Sequence, residues 1–114
     1  MKSREEILHY ISSNIKYPQA ARKNGHIGTV VLFARVNQNG TIKEVLELQP
    51  KEGFVEIEKI DIIGYTNAGS EHPVSYSLKS LKPEGRRVIE SFPVLEIPKL
   101  NGQAMKFTFK FEIK

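Results

Sequence analysis

The sequence contains no cysteine and no tryptophan. Without thiols it has no disulfide, no thiolate metal site and no cysteine nucleophile. A thiol-free domain suits the reducing cytosol and an oxidising periplasm equally, so this absence leaves the compartment open. Long apolar runs are missing too, and no stretch approaches the roughly 18 apolar residues that mark a membrane-crossing helix. The opening residues, Met1-Lys2-Ser3-Arg4-Glu5-Glu6, turn acidic at once and lead into no apolar signal-peptide core. Nothing here targets or anchors the chain, which reads as a soluble protein or as a domain excised from a longer one with Met1 added to start translation. Excess charge is slight: 17 Lys and Arg stand against 13 Asp and Glu, a formal net charge of +4. The basic residues are scattered, with no Arg-rich helix and no basic strand interleaved with aromatics, which argues against nucleic-acid binding. No internal repeat or low-complexity tract divides the 114 residues. They read as one domain, 1–114, of a size that buries about two thirds of its unfolded surface.

What is present begins with Tyr17-Pro18-Gln19-Ala20-Ala21-Arg22-Lys23-Asn24-Gly25-His26-Ile27-Gly28-Thr29-Val30. Pro18 pre-sets a helical φ where its missing N–H costs nothing, and Gly25 supplies the left-handed residue that ends a helix. The spacing predicts a short helix from about Pro18 to Asn24. After it the period becomes two: Val30, Leu32, Ala34 and Val36 share one face until Asn39-Gly40 turns the chain into a return arm carrying Ile42, Val45 and Leu46.

Upstream, Ser3 and Glu6 have the spacing of a capping box, and a helix with Ile7, Leu8, Tyr10 and Ile11 on its apolar side should run to Ser12-Ser13-Asn14. Phe54, Val55, Ile57, Ile60, Ile62, Ile63 and Tyr65 predict a strand broken near Lys59. Asn67 to Pro73 has loop chemistry, and Val74 to Leu78 reads as a short edge strand or an extended lead. Leu81, Gly85, Val88, Ile89 and Phe92 line a helix that opens around Ser80, Pro83 and Glu84 and stops at Pro93. Asn101-Gly102 then turns into the clearest strand, where Met105, Phe107, Phe109, Phe111 and Ile113 alternate with Lys106, Thr108, Lys110 and Glu112. The expected fold is α+β: an antiparallel sheet of three to four strands with two or three helices packed on one face.

Convergent reactive groups are not apparent. His9, His26 and His72 have no partner at metal-ligand spacing. Glu5 and Glu6 read as first-turn charges that complement a helix dipole, and Glu56 and Glu58 as the wet face of a strand. Gly25 and Gly28 follow a helix and precede a strand, the reverse of a phosphate loop. No catalytic residue, metal or cofactor is assigned. The remaining candidate surface is backbone: if the terminal strand lies at the sheet edge, its N–H and C=O groups accept an extended peptide as one more strand. The competing reading is that Lys106 and Lys110 only blunt that edge against aggregation.

The order Ile15-Lys16-Tyr17-Pro18, Ala20-Ala21, Gly25, Gly28-Thr29-Val30 and Asn39-Gly40-Thr41-Ile42, then Leu81 to Pro93 with Glu84-Gly85-Arg86-Arg87-Val88-Ile89-Glu90-Ser91-Phe92-Pro93, then Leu100-Asn101-Gly102-Gln103, resembles the C-terminal domain of the TonB energy-transducer family, in its Bacteroidetes form. About two thirds of the chain is covered. Residues 49–80 are longer than the family's usual link and should add a strand. The resemblance implies a periplasmic domain, tethered to the inner membrane by a helix and linker outside this chain, that works with inner-membrane proton-motive-force partners. It implies a grip on a short receptor peptide, the TonB box, by strand addition, with transmission of force for nutrient uptake. The implied peptide-binding residues are Asn14, Gln103, Met105, Lys106, Phe107, Thr108, Phe109, Lys110, Phe111, Glu112 and Ile113. The alternative is a TonB-fold interaction module of another cell-envelope protein, a sensor or regulator. A homodimer through the terminal strand is a further expectation.

Overall fold

The computed structural model describes residues 1–65 and 73–114. The expected Asn67–Pro73 loop, His72 included, falls outside them except for Pro73.

Helix α1 spans Arg4–Asn14, and the Ser3 hydroxyl accepts from the Glu6 N–H at 3.2 Å. Glu6 answers by accepting from the Lys2 N–H rather than from Ser3, so the cap is one residue wider than a capping box. Helix α2 spans Gln19–Lys23 with Pro18 as its N-cap, and Gly25 at φ +69° ends it. Strand β1, His26–Val36, follows directly and turns through Asn39-Gly40 into β2, Ile42–Leu46. The 54–65 segment is broken as expected, into β3, Val55–Glu56, and β4, Ile60–Gly64. Strand β5 is Ser75–Tyr76, α3 is Lys82–Glu90 and β6 is Ala104–Ile113.

These make an α+β fold, with a mixed sheet of six strands and three α-helices among the described residues. The strand order is β2-β1-β6-β3, with β4 also on β6 and β5 on β1. The expectation of a purely antiparallel sheet of three to four strands is therefore corrected. β1 pairs antiparallel with β2 and β6, but β3 and β4 run parallel to β6, and β5 runs parallel to β1. The cause lies in connectivity. The chain runs from β4 through β5, α3 and a 3-10 turn at Pro98–Leu100 before it enters β6, a connection long enough to bring β6 in beside β4 in the same direction.

The core is the sheet face lined by Val30, Leu32, Ala34, Met105, Phe107, Phe109 and Phe111, all at most 1% exposed. Helices α1 and α3 close it with Ile7, Ile11, Val88 and Ile89, each fully buried. Gly85 explains how close α3 comes: a Cβ there would stand 3.1 Å from Leu32 Cδ1 and from Phe109 Cδ2. Phe107 and Phe109 stack at 6.3 Å, and Phe92 joins Tyr10 of α1 to Phe107 through edge contacts. On the opposite face, half-buried Thr29, Val31, Lys106, Thr108 and Lys110 alternate with those core residues. One corner there is covered by described residues, where Phe54 lies edge-on to Phe33 and Lys106 Nζ sits 5.6 Å above the Phe54 ring.

Candidate functional site: the edges of the sheet

Strand β6 is not an edge. On one side it pairs with β1 from Gly28↔Phe111 to Arg35↔Ala104. On the other it pairs with β3 at Val55↔Met105 and Glu56↔Lys106, and with β4 from Ile60↔Phe109 to Gly64↔Ile113. Backbone bonds tie the ends of this second seam: Ile57 N–H to Lys106 O and Lys114 N–H to Gly64 O, both 2.9 Å. The expectation of a free Gln103–Ile113 edge, open to a peptide or to a second copy of the strand, is corrected by this pairing. Burial makes the covering segment hard to remove. Ile57, Ile60 and Ile62 are 1%, 8% and 7% exposed, and re-exposing three isoleucines costs about 6 kcal/mol. A short peptide invading this seam must recover that loss before it gains any net affinity.

The side chains named from the family pattern divide accordingly. Met105, Phe107, Phe109 and Phe111 belong to the core. Lys106, Thr108, Lys110 and Glu112 stand half-buried on the open face, Ile113 is half-buried at the strand end, and Gln103 is exposed while its carbonyl accepts from Val36 N–H at 2.9 Å. Lys106 and Lys110 do not guard an edge; they pair with Glu56 at 3.5 Å and Glu112 at 2.8 Å. The Glu112 carboxylate hydrogen-bonded to Lys110 is held below the usual carboxylate range, and the Lys110 ammonium is pushed up in return.

Asn14 lies with Lys16, Tyr17, Glu84 and Arg87 around a cleft of about 610 Å³. Its side-chain amide nitrogen donates to Tyr10 O at 2.7 Å, and its backbone carbonyl accepts from Arg87 at 2.9 Å. One of its two side-chain N–H donors is thus used in ending α1. The link from this connector to β6 is Tyr17, whose ring meets Phe111 edge-on at 5.3 Å and whose hydroxyl donates to His26 O. Burial raises the Tyr17 phenol above its ordinary value.

His9 is exposed on α1, and His26 Nδ1 meets the Ser80 hydroxyl at 2.8 Å. Glu56 and Glu58 are exposed, as their alternation predicts. Among the described residues no three His, Asp or Glu side chains gather as a metal site, and no helix is long and apolar enough to cross a membrane.

Two other stretches of sheet edge remain uncovered by a strand among the described residues. In the β4–β6 pair Gly64 directs its carbonyl to β6, so by alternation Asp61 and Ile63 direct theirs away from it. On β1, Val36 bonds toward β6 while Gly25 and Ile27 bond toward β5. The odd residues therefore face outward, where β5 is registered at Ile27 and β2 at Phe33. Thr29 and Val31 lie between. The notch follows from strand length: β1 has 11 residues against 5 in β2 and 2 in β5, too few to cover it. The third boundary, the outer side of β2, is partly capped because Arg86 donates to Val45 O at 3.1 Å. A scan of family models, a search of curated proteins and a search of solved structures each found no match to this chain.

Proposed function

We propose that this chain is a peptide-binding domain of the kind that ends TonB energy transducers. In this reading it is a periplasmic module, tethered to the inner membrane in the full-length protein and driven by proton-motive-force partners there. It holds the N-terminal segment of an outer-membrane receptor as an added strand and passes a pull through it. The supporting observation is that both long strands already carry short extended segments in parallel: β6 carries β3 and β4, and β1 carries β5. Backbone pairing of that kind needs no particular side chain, and a pull along the added strand loads its hydrogen bonds together. Because β6 is filled on both sides, the captured peptide takes an edge outside Gln103–Ile113.

The test is a titration of the isotope-labelled domain with synthetic peptides copied from receptor N-termini, followed by amide shifts. Strand addition predicts shifts concentrated at outward-facing amides of edge strands. Saturable binding that leaves every strand amide in place overturns it.

The burial of Ile57, Ile60 and Ile62 against β6 favours a second reading, a TonB-fold interaction module in a cell-envelope sensor or regulator with a different partner. The encoded sequence preceding Met1 separates the two. A single membrane-spanning helix followed by a proline-rich linker belongs to a transducer, and a sensor or regulator domain in that place belongs to the second reading.

A further inference from the structure

We infer that the notch in the outer edge of β1, at Thr29–Val31, is a docking site for an acidic extended segment of a partner protein. The inference rests on the strand-addition reading and names where addition occurs and what chemistry it selects.

The notch has defined ends. Tyr76 of β5 is registered on Ile27, and Leu46 of β2 is registered on Phe33. Five β1 residues lie between these two registered positions, a span of about 20 Å at roughly 3.3 Å per residue, which admits an extended segment of about three to five residues. On its far side β1 is held throughout this span by β6, from Gly28↔Phe111 to Leu32↔Phe107. The outward groups are thus carried on a rigid strand. Among the described residues, only the Tyr76 hydroxyl reaches them, at 3.5 Å from Thr29 O.

Side-chain chemistry follows from the pleat. Residues of an added strand alongside Thr29 and Val31 share the open face with those two β-branched side chains. Residues alongside Val30 and Leu32 point to the opposite side. There a cleft of about 340 Å³ is lined by Leu32, Glu47, Lys79, Lys82, Pro83 and Arg86. Three cations thus face one carboxylate, and Lys82 is already engaged with Glu47 at 2.7 Å. Lys79 and Arg86 form no ion pair with any described carboxylate, although Arg86 also holds Val45 O. An extended segment that alternates apolar and acidic residues therefore matches both faces, placing its carboxylates against Lys79 and Arg86. Those charges select against a basic segment of the same shape.

The probe is the pentapeptide acetyl-Glu-Val-Glu-Val-Glu-amide, whose valines register on Thr29 and Val31, titrated into the full chain with amide shifts and affinity as readouts. The largest shifts should fall on Thr29 and Val31, and affinity should drop as salt rises. Val31→Pro removes one outward donor at a position where proline leaves the β6 seam intact, and should weaken binding about tenfold. Lys79→Glu should weaken it about fivefold and reverse the preference toward the matching lysine peptide. A probe N-methylated at both valines keeps the test independent of whether either variant folds, and it too should lose binding. The inference is overturned if the probe shifts Asp61 and Ile63 instead, which leaves strand addition standing at the β4 edge. It is overturned together with the proposed function if neither this probe nor receptor peptides move any edge amide.

Discussion

Tyr17 closes one end of the sheet by standing against Gly64. A Cβ built on Gly64 would lie 3.0 Å from Tyr17 Cδ2 and 3.1 Å from its Cγ. That ring also meets Phe111 at 5.3 Å and is tied by its hydroxyl to His26 O, so yielding would disturb both contacts. Gly64→Ala should therefore lower stability by about 1–2 kcal/mol through overpacking. In a Tyr17→Ala background the same substitution should cost almost nothing. Denaturant unfolding of the two single variants and the double variant gives the coupling directly.

Gly85 sets two effects against each other. Alanine in mid-helix gains about 1 kcal/mol of propensity, yet its methyl would press on Leu32 Cδ1 and Phe109 Cδ2 at 3.1 Å. Both neighbours are at most 1% exposed and Phe109 is stacked on Phe107, so overpacking of about 1–3 kcal/mol wins. Gly85→Ala should lower the thermal midpoint, and a rise would show that the helix can back away from the sheet.

Glu84 joins α3 to the connector after α1. Burial alone would raise its pKa, but two bonds from Arg87 at 2.7 and 2.8 Å, together with the Lys16 N–H at 2.7 Å, bring it below the usual carboxylate value. A depressed folded pKa stabilises the fold above the unfolded value, near pH 4.3, and that contribution is lost as pH falls through the folded value. Glu84→Gln should thus be less stable than the parent by roughly 1 kcal/mol at neutral pH. The difference should shrink on acidification below about pH 4 in matched unfolding curves. A constant difference across pH would assign the effect to packing.

The segment covering β6 is either fixed core or a removable strap, and the isoleucines decide which. With Ile57 at 1% and Ile62 at 7% exposure, Ile57→Ala and Ile62→Ala should each cost about 2–4 kcal/mol of global stability. Native-state hydrogen exchange should place the amides of 60–64 that face β6 in the slowest-opening group, with those of β1. Costs below 1 kcal/mol with fast local opening would restore β6 as an available edge.

The sequence made the faces legible and the edges illegible, for a physical reason. Alternation in 105–113 reports which residues stand above and below the sheet, and Met105, Phe107, Phe109 and Phe111 are buried as that alternation requires. The same alternation results whether a strand has one neighbour or two, because lateral pairing uses backbone groups that every residue carries. Connectivity held part of the missing information: the long connection from strand 60–64 to strand 104–113 leaves room for the two to lie side by side in the same direction. The break near Lys59 and the caps at Ser3 and Gly25 were readable because each depends on a local residue type. The Lys79 and Arg86 pair beside the β1 notch was not, since the two residues meet the notch only once α3 is seated on the sheet.

The central place of β6 also imposes a schedule on synthesis. β1 and β2 can close as a local hairpin soon after they are made, but β1's longest seam and both parallel strands β3 and β4 have their partner in residues 104–113. Until Ile113 has left the ribosome the larger part of the sheet has nothing to pair with. Most of the sheet's pairing therefore forms after translation of this segment rather than during it, with Ile57, Ile60 and Ile62 left waiting in water. The interval in which this chain most needs protection from aggregation is set by the last strand of the sheet to emerge.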